Sequence, residues 1–328
     1  MKGISSESKA QLRHTAARGL HWAQNTGHTP EKYPERIFSS EYPYKWFALI
    51  DITNYCSLNN CIYCSRFLSH VPDNKRYNLS LEKIDEALVA YEGFPEHIGI
   101  IGGEPQIHPQ FKEICALLLK HNKKGKYGLW TSINPETSKY KDIIRKTFGY
   151  VAYNPHTSSQ ASICKHQPLT LAAKDMVPNR ELRNELYEQC YFRQKWCGTV
   201  NTLGAFHCEI AASLALLTGQ KGWDVKKGWW LKDWREQVNL CEFCGGAVPQ
   251  ERQLLCERTE KISPSFFKLL KDNGCINGQH EIVAEPYTIQ YLKKHSVECP
   301  GAYRADKGET EKPTVNIAWT KYEALANV

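Results

Sequence analysis

Short apolar runs alternate with amphipathic stretches through the first half of the chain. Phe47–Asp51 (Phe-Ala-Leu-Ile-Asp) has the length and polarity of a buried strand, and Ile98–Ile101 forms a second such run. Between them Leu81, Ile84, Leu88 and Tyr91 recur at helical spacing behind a cap at Asn78-Leu-Ser80. The pattern continues with a helix over Pro109–His121, a strand over Tyr127–Ile133, a helix over Glu136–Lys146 and a strand over Tyr150–Asn154. Strands alternating with helices through short connections predict a parallel α/β sheet. In such sheets sites are built at the C-terminal ends of the strands. The loops there carry Cys56, Cys61 and Cys64 after the first strand, Gly102–Pro105 after the second, and Thr131–Asn134 at the third.

Past residue 155 the alternation fades into a loop-rich connector. After 180 the chain reads as helical and Cys-rich, and the last 75 residues read as irregular. Four segments follow: a polar N-terminal extension at 1–44 with helical character around 8–23, an α/β core at 45–180, a Cys-rich segment at 181–250 and a C-terminal extension at 251–328.

Composition narrows the function classes. The chain has 328 residues, 41% hydrophobic and 23% charged, with 9 Trp, 17 Tyr and 11 Phe, enough apolar matter for a real core. No apolar run approaches the roughly 18 residues that span a bilayer, and Met1–Ala10 is polar without an apolar signal region, so a cytoplasmic protein is expected. The net charge of +7 is spread among mixed Lys and Asp/Glu, so no membrane partner is expected and a nucleic-acid stripe is not predicted. The 13 cysteines are the anomaly. An odd count in such a chain points to metal or redox chemistry, not to a disulfide framework.

Three cysteines form Cys56-x4-Cys61-x2-Cys64, and five more lie between Cys190 and Cys244. Three thiolates on one loop can bind zinc or three irons of a [4Fe–4S] cluster, or be incidental. Structural zinc wants four protein ligands, and the nearest further donor is His70. A cluster with three cysteines leaves one iron open to a small ligand, which favours iron–sulfur. Cys115 falls in a helical apolar pattern and reads as a core residue, as does Cys164.

The stretch Thr53-Asn-Tyr-Cys56-Ser-Leu-Asn-Asn-Cys61-Ile-Tyr63-Cys64 resembles the radical S-adenosylmethionine (SAM) enzymes. Their signature is Cys-x3-Cys-x2-Cys, often preceded by Thr-Asn and with an aromatic before the last Cys. The first spacing here is x4, a departure that bears on loop conformation. Gly102-Gly103-Glu104-Pro105 matches the family's glycine-rich motif after the second strand. The resemblance implies a partial (β/α)6-type TIM barrel with Cys56, Cys61 and Cys64 on a [4Fe–4S] cluster and SAM on the open iron. It also implies SAM contacts from Tyr63 near the adenine, from the backbone of Gly102, Gly103, Glu104 and Pro105, and from Ser132 and Asn134. The implied activity is reductive cleavage of SAM to a 5′-deoxyadenosyl radical that abstracts a substrate hydrogen atom, fed by an electron donor such as flavodoxin or ferredoxin.

A second resemblance lies downstream. Asn201-Thr-Leu-Gly204 before Cys208 is similar to the hairpin turn of SPASM and shorter twitch extensions, and Cys241-x2-Cys244 follows. Cys190, Cys208, Cys241 and Cys244, with Cys197 as a possible replacement, would hold an auxiliary [4Fe–4S] cluster in a small Cys-rich domain. The spacing looks most like the twitch domain of an aminocyclitol-oxidising dehydrogenase of antibiotic biosynthesis. Trp223, Trp229, Trp230 and Trp234 read as a packed face, and Lys221, Lys226, Lys227 and Lys232 as a solvated one.

These resemblances lead to an oxidoreductase or epimerase acting on a sugar or cyclitol-type small metabolite. The alternatives are a maturase acting on a ribosomally made peptide and a non-catalytic iron–sulfur protein. The catalytic base is not legible; His108, His156, Arg193 and Glu209 lie near the site loops and read as structural.

Overall fold

The computed structural model describes residues 47–58, 61–94, 97–121, 127–153, 165–194, 198–254, 259–276, 278–296 and 317–325. The helical stretch expected at 8–23, and Cys164, Cys197 and His156, lie outside these residues.

The expected alternation is present. Strand β1 (Phe47–Thr53) leads through the Cys loop to helix α1 (Leu81–Ala90), then β2 (His97–Gly102), α2 (Phe111–Lys120), β3 (Tyr127–Thr131), α3 (Lys141–Thr147) and β4 (Tyr150–Tyr153). Ser80 caps α1, its side chain accepting from Lys83 N. Neighbouring strands pair in parallel in the order β4-β3-β2-β1. Period-two alternation sets the two faces of β1. Ala48, Ile50 and Ile52 pack with Ile84, Leu88, Ile114 and Leu118 of the helices. Leu49, Asp51 and Thr53 face the other way.

α3 begins later than expected. Asn134 Oδ1 accepts from Glu136 N at 2.9 Å and closes a turn, so residues 136–140 do not join the helix.

Beyond β4 the chain adds the short β5 (Lys165–His166), helix α4 (Arg180–Glu188), then β6 (Thr199–Asn201) and β7 (Gly204–Phe206). The last two form the expected hairpin. β6 pairs in parallel with β1, so the sheet reads β4-β3-β2-β1-β6-β7. Among the described strands, four belong to the β/α alternation and two to the hairpin. Helix α5 (Glu209–Thr218) follows directly and is buried from Glu209 to Leu217. Trp229 and Trp230 pack on Tyr91 and Phe94 with Trp223 beside them, so three of the tryptophans share a packed face, whereas Trp234 packs on another core beside His207. Lys226 pairs with Asp224, and Lys227 with Glu92, on the exposed surface.

The last 75 residues are more regular than their pattern predicts. After β8 (Gln253–Leu254), which pairs with β5, come β9 (Thr259–Ile262), α6 (Pro264–Asp272) and β10 (Gln279–Ile282), with β9 and β10 parallel. Their strands (Thr-Glu-Lys-Ile and Gln-His-Glu-Ile) contain no apolar run, and so escape a pattern search. Helices α7 (Ile289–Ser296) and α8 (Trp319–Leu325) close a core with Leu182, Leu186, Tyr187 and Val248. Cys190 and Cys241 pack at the edge of that core.

Tyr322 is buried there, and its hydroxyl donates to Glu185 Oε1 at 2.7 Å. Tyr322→Ala is expected to cost about 3 kcal/mol of stability, read as a lower denaturant midpoint. An unchanged midpoint would show that α8 is not part of the core.

Candidate metal and cofactor site

The loop after β1 has little regular structure, so its shape is set by the groups that hold it. Asn54 pins its start: Nδ2 donates to Lys75 O at 2.9 Å and Oδ1 accepts from Tyr77 N at 2.7 Å. Thr53 Oγ1 donates to Asn78 Oδ1 at 2.7 Å. Arg76 ties the two ends together, donating to Asn54 O at 2.7 Å and Leu68 O at 2.8 Å. The sequence reading missed Arg76, because its partners are main-chain carbonyls that no motif reveals. Cys64 lies between Tyr63 (φ 56°) and Phe67 (φ 50°), two non-glycine residues in the left-handed region. That strain is held by packing, since both side chains are buried.

Glycine is required in the second motif for close approach of two main chains. Gly103 N donates to Thr53 O and Glu104 N to Tyr55 O, each at 2.8 Å. A Cβ on Gly103 would sit 2.2 Å from Tyr55 O, and one on Gly102 would sit 2.3 Å from Thr53 O. These amides therefore hold the Cys loop. The buried Glu104 reaches the next strand end: Oε2 accepts from Ser132 N and Ser132 Oγ, both at 2.6 Å, and Oε1 from Thr131 Oγ1 at 2.7 Å. Pro105 begins the 3-10 turn Pro105–Ile107, where its missing N–H is no loss. Ser132 and Asn134 thus lie at the C-terminal edge as expected, with Ser132 Oγ and Asn134 Oδ1 each engaged within the protein.

Tyr63 is buried, and its hydroxyl accepts from Lys261 N at 2.9 Å. Its amide donates to Glu260 Oε1 at 3.4 Å, while Glu260 Oε2 lies 2.7 Å from His70 Nε2. His70 is therefore a tether of the loop to β9. His108 is structural, as expected: Nδ1 accepts from Gln110 N and Nε2 lies 3.1 Å from Leu79 O.

Cys56, Cys61 and Cys64 share one loop. Burial and the two neighbouring cysteines push the Cys61 thiol up to about 12. Burial also raises Cys64. Leu58 N donates to Cys56 Sγ at 3.4 Å.

Cys190, Cys208, Cys241 and Cys244 line a single small cavity. Burial and mutual repulsion raise the thiols of Cys241 and Cys244 far above their ordinary value. Main-chain amides aim at two of the sulfurs: Ala211 N donates to Cys208 Sγ at 3.4 Å and Gly246 N to Cys244 Sγ at 3.2 Å. Arg193 and His207 complete the polar lining, and His207 Nε2 lies 3.5 Å from Cys241 Sγ. Gln237 Nε2 donates to Ala205 O, so Gln237 Oε1 faces both N–H groups of His207 and fixes its Nδ1 as the protonated nitrogen. His207 was not singled out from sequence, though it directly precedes Cys208. Among the described residues, no three His, Cys, Asp or Glu side chains converge on a single ion. Cluster ligands each bind a different iron and need not converge in that way. Both cysteine sets offer sulfur donors with main-chain amides aimed at sulfur, a donor chemistry that an iron–sulfur cluster can use.

Residues 50–167 match the sequence model of the Radical SAM superfamily. This segment is similar to a radical SAM domain. The match spans the Cys loop, the glycine-rich turn and all four β/α strands from Ile50 onward. It implies a [4Fe–4S] cluster and SAM as cofactors. No curated protein matches the chain. No helix among the described residues is long and apolar enough to cross a membrane.

One buried carboxylate in the matched segment stands out. Asp51 is buried with Arg66 3.8 Å away, and the Tyr77 hydroxyl and the Thr53 main chain also pull on its carboxyl. Burial lifts its pKa from 3.8 to about 6, against the pull of Arg66. The folded state thus holds a proton that the unfolded chain has released between about pH 4 and 6. Stability from this group is greatest at low pH and is lost as pH rises through that window, by on the order of 3 kcal/mol. Asp51→Asn is expected to flatten that part of the stability–pH curve, measured by denaturant unfolding between pH 4 and 8. An equally steep curve in the variant would assign the dependence to other groups. Gly103→Ala is expected to destabilise by about 1–3 kcal/mol in the same assay, because its new Cβ meets main chain and not a flexible side chain.

Proposed function

We propose that this protein is a radical SAM enzyme that oxidises or epimerises a sugar or cyclitol-type small metabolite, with a second iron–sulfur cluster near its substrate. The observation that carries the reading is the meeting of Cys190, Cys208, Cys241 and Cys244 around one cavity, behind a domain that has its own three-cysteine loop. In this reading the first cluster rests on Cys56, Cys61 and Cys64, and the second on the four cavity cysteines. When bound, these groups supply one-electron chemistry: reductive opening of SAM to a 5′-deoxyadenosyl radical, and an acceptor for an electron from the substrate.

The chain's own residues supply position and exclusion. Arg76, Asn54 and the Gly103 and Glu104 amides fix the Cys loop from both sides. In this reading the main chain of Gly102–Glu104 lines the SAM amino group, with Glu104 O also accepting from Ile107 N at 3.1 Å. Glu104 holds the end of β3 against the glycine-rich turn and so fixes the place of Ser132 and Asn134. Tyr63 and the β9 segment close the loop from the C-terminal side and exclude water. At the second site burial keeps Cys190, Cys241 and Cys244 protonated, so loading metal there releases their protons.

Anaerobic reconstitution tests the reading. The full-length protein should bind about eight iron atoms and, once reduced, convert SAM to 5′-deoxyadenosine. Cys61→Ala should abolish that cleavage. Cys241→Ala should lower iron to about four and spare cleavage at saturating SAM, yet block turnover of the sugar or cyclitol substrate. Absence of 5′-deoxyadenosine from the loaded protein would establish a non-catalytic iron–sulfur protein. Turnover of a peptide in place of any small metabolite would overturn the substrate class.

A further inference from the structure

A buried ionic cluster joins the two cysteine sets. Arg66 lies two residues beyond Cys64, and Glu209 directly follows Cys208. Arg66 Nη2 donates to Glu209 Oε2 at 3.1 Å, and Nη1 donates to Glu209 O at 3.4 Å. Nη1 also lies 3.8 Å from Asp51 Oδ2 on β1. Relative exposure is 4% for Arg66, 1% for Asp51 and 4% for Glu209. No solvent screens this pairing, and a guanidinium held at two oxygens of one residue has little freedom to pivot.

Each end is rigidly attached to a cysteine. Cys64 O accepts from Phe67 N at 2.8 Å, closing a tight turn around Arg66. Cys208 is the cap of α5, and Glu209 is the first residue of that helix. Whatever fixes Cys208 therefore fixes the start of α5, from which Glu209 presents both oxygens that Arg66 grips.

Resting on the reading that both cysteine sets hold clusters, we propose that Arg66 is a positioning residue coupling them. Occupancy of the Cys190–Cys208–Cys241–Cys244 site strengthens SAM binding at the Cys56–Cys61–Cys64 site, through Glu209 and Arg66. Linkage requires the reverse effect as well: SAM binding strengthens iron retention at the second site.

A double-mutant cycle on the reconstituted full-length protein tests this, with SAM dissociation constants and iron content as readouts. The four forms are wild type, Cys241→Ala, Arg66→Gln and the double variant. Cys241→Ala is expected to weaken SAM binding at least about fivefold in wild type and to add nothing in the Arg66→Gln background. The EPR spectrum of the reduced, SAM-bound first cluster should respond to Cys241→Ala only when Arg66 is present. If Arg66→Gln does not fold, Arg66→Met/Glu209→Gln removes both charges together and gives the same cycle. No effect of Cys241→Ala in wild type, or an equal effect in both backgrounds, overturns the coupling while iron of about eight leaves the two-cluster reading standing. Wild-type iron of about four overturns both.

Discussion

The main-chain pairing of the glycine-rich turn with the start of the Cys loop is the contact on which the site depends. A loop that carries three cysteines in nine residues cannot satisfy its own backbone, so its polar groups must find partners elsewhere. Gly103 and Glu104 supply two amides, and the absence of a Cβ lets the chains come close enough. The parallel pairing of β1 with β2 brings the two loops together at one edge. Glu104 extends the same connection to the end of β3. One edge of the sheet thus becomes a connected polar network, with its donors and acceptors matched inside the protein.

Much of this was legible in the sequence, and for a physical reason. Apolar runs of strand length and a capped amphipathic helix are local signals, and β1, β2, α1 and α2 follow them closely. The turn signals Gly102–Gly103 and Asn201–Gly204 were equally local, and both appear as turns at the expected places. Contacts between distant segments left no such trace. Nothing in Thr199–Asn201 announces that it pairs with β1, and nothing in Thr259–Ile262 announces a clamp on Tyr63. The strands β9 and β10 are short and polar, and their pairing through α6 is set by tertiary packing. α8 shows the same limit: Trp319 and Tyr322 are three residues apart, which is helical spacing, but the core they enter also draws on Leu182, Leu186 and Tyr187, well over a hundred positions earlier.

The second cysteine set was legible as ligand types and only partly as a site. Spacing supplied four candidates, and the structure brings all four to one cavity. His207 and Gln237 required coordinates, because a histidine next to a cysteine reads as incidental until its ring nitrogen is seen 3.5 Å from the sulfur of Cys241. Arg66 and Glu209 were hidden in the same way. Each follows a candidate ligand closely in the chain, yet their partnership spans 143 positions.

The burial of Asp51, Arg66 and Glu209 calls for an explanation beyond stability. A buried ion pair must recover the hydration its charges lose, and apolar residues of similar size often hold a fold as well or better. Here the desolvation is incompletely offset, as the raised pKa of Asp51 shows. What such a cluster supplies, and an apolar patch does not, is direction. A guanidinium with two partner oxygens on Glu209 fixes a helix end against a loop in one orientation, whereas packed methyl groups tolerate sliding. The helix end begins at Cys208 and the loop ends at Cys64, so the orientation being fixed is that of one cysteine set relative to the other. A chemistry that depends on two centres acting on one substrate is sensitive to that orientation, because small misplacements of reacting groups are costly in rate.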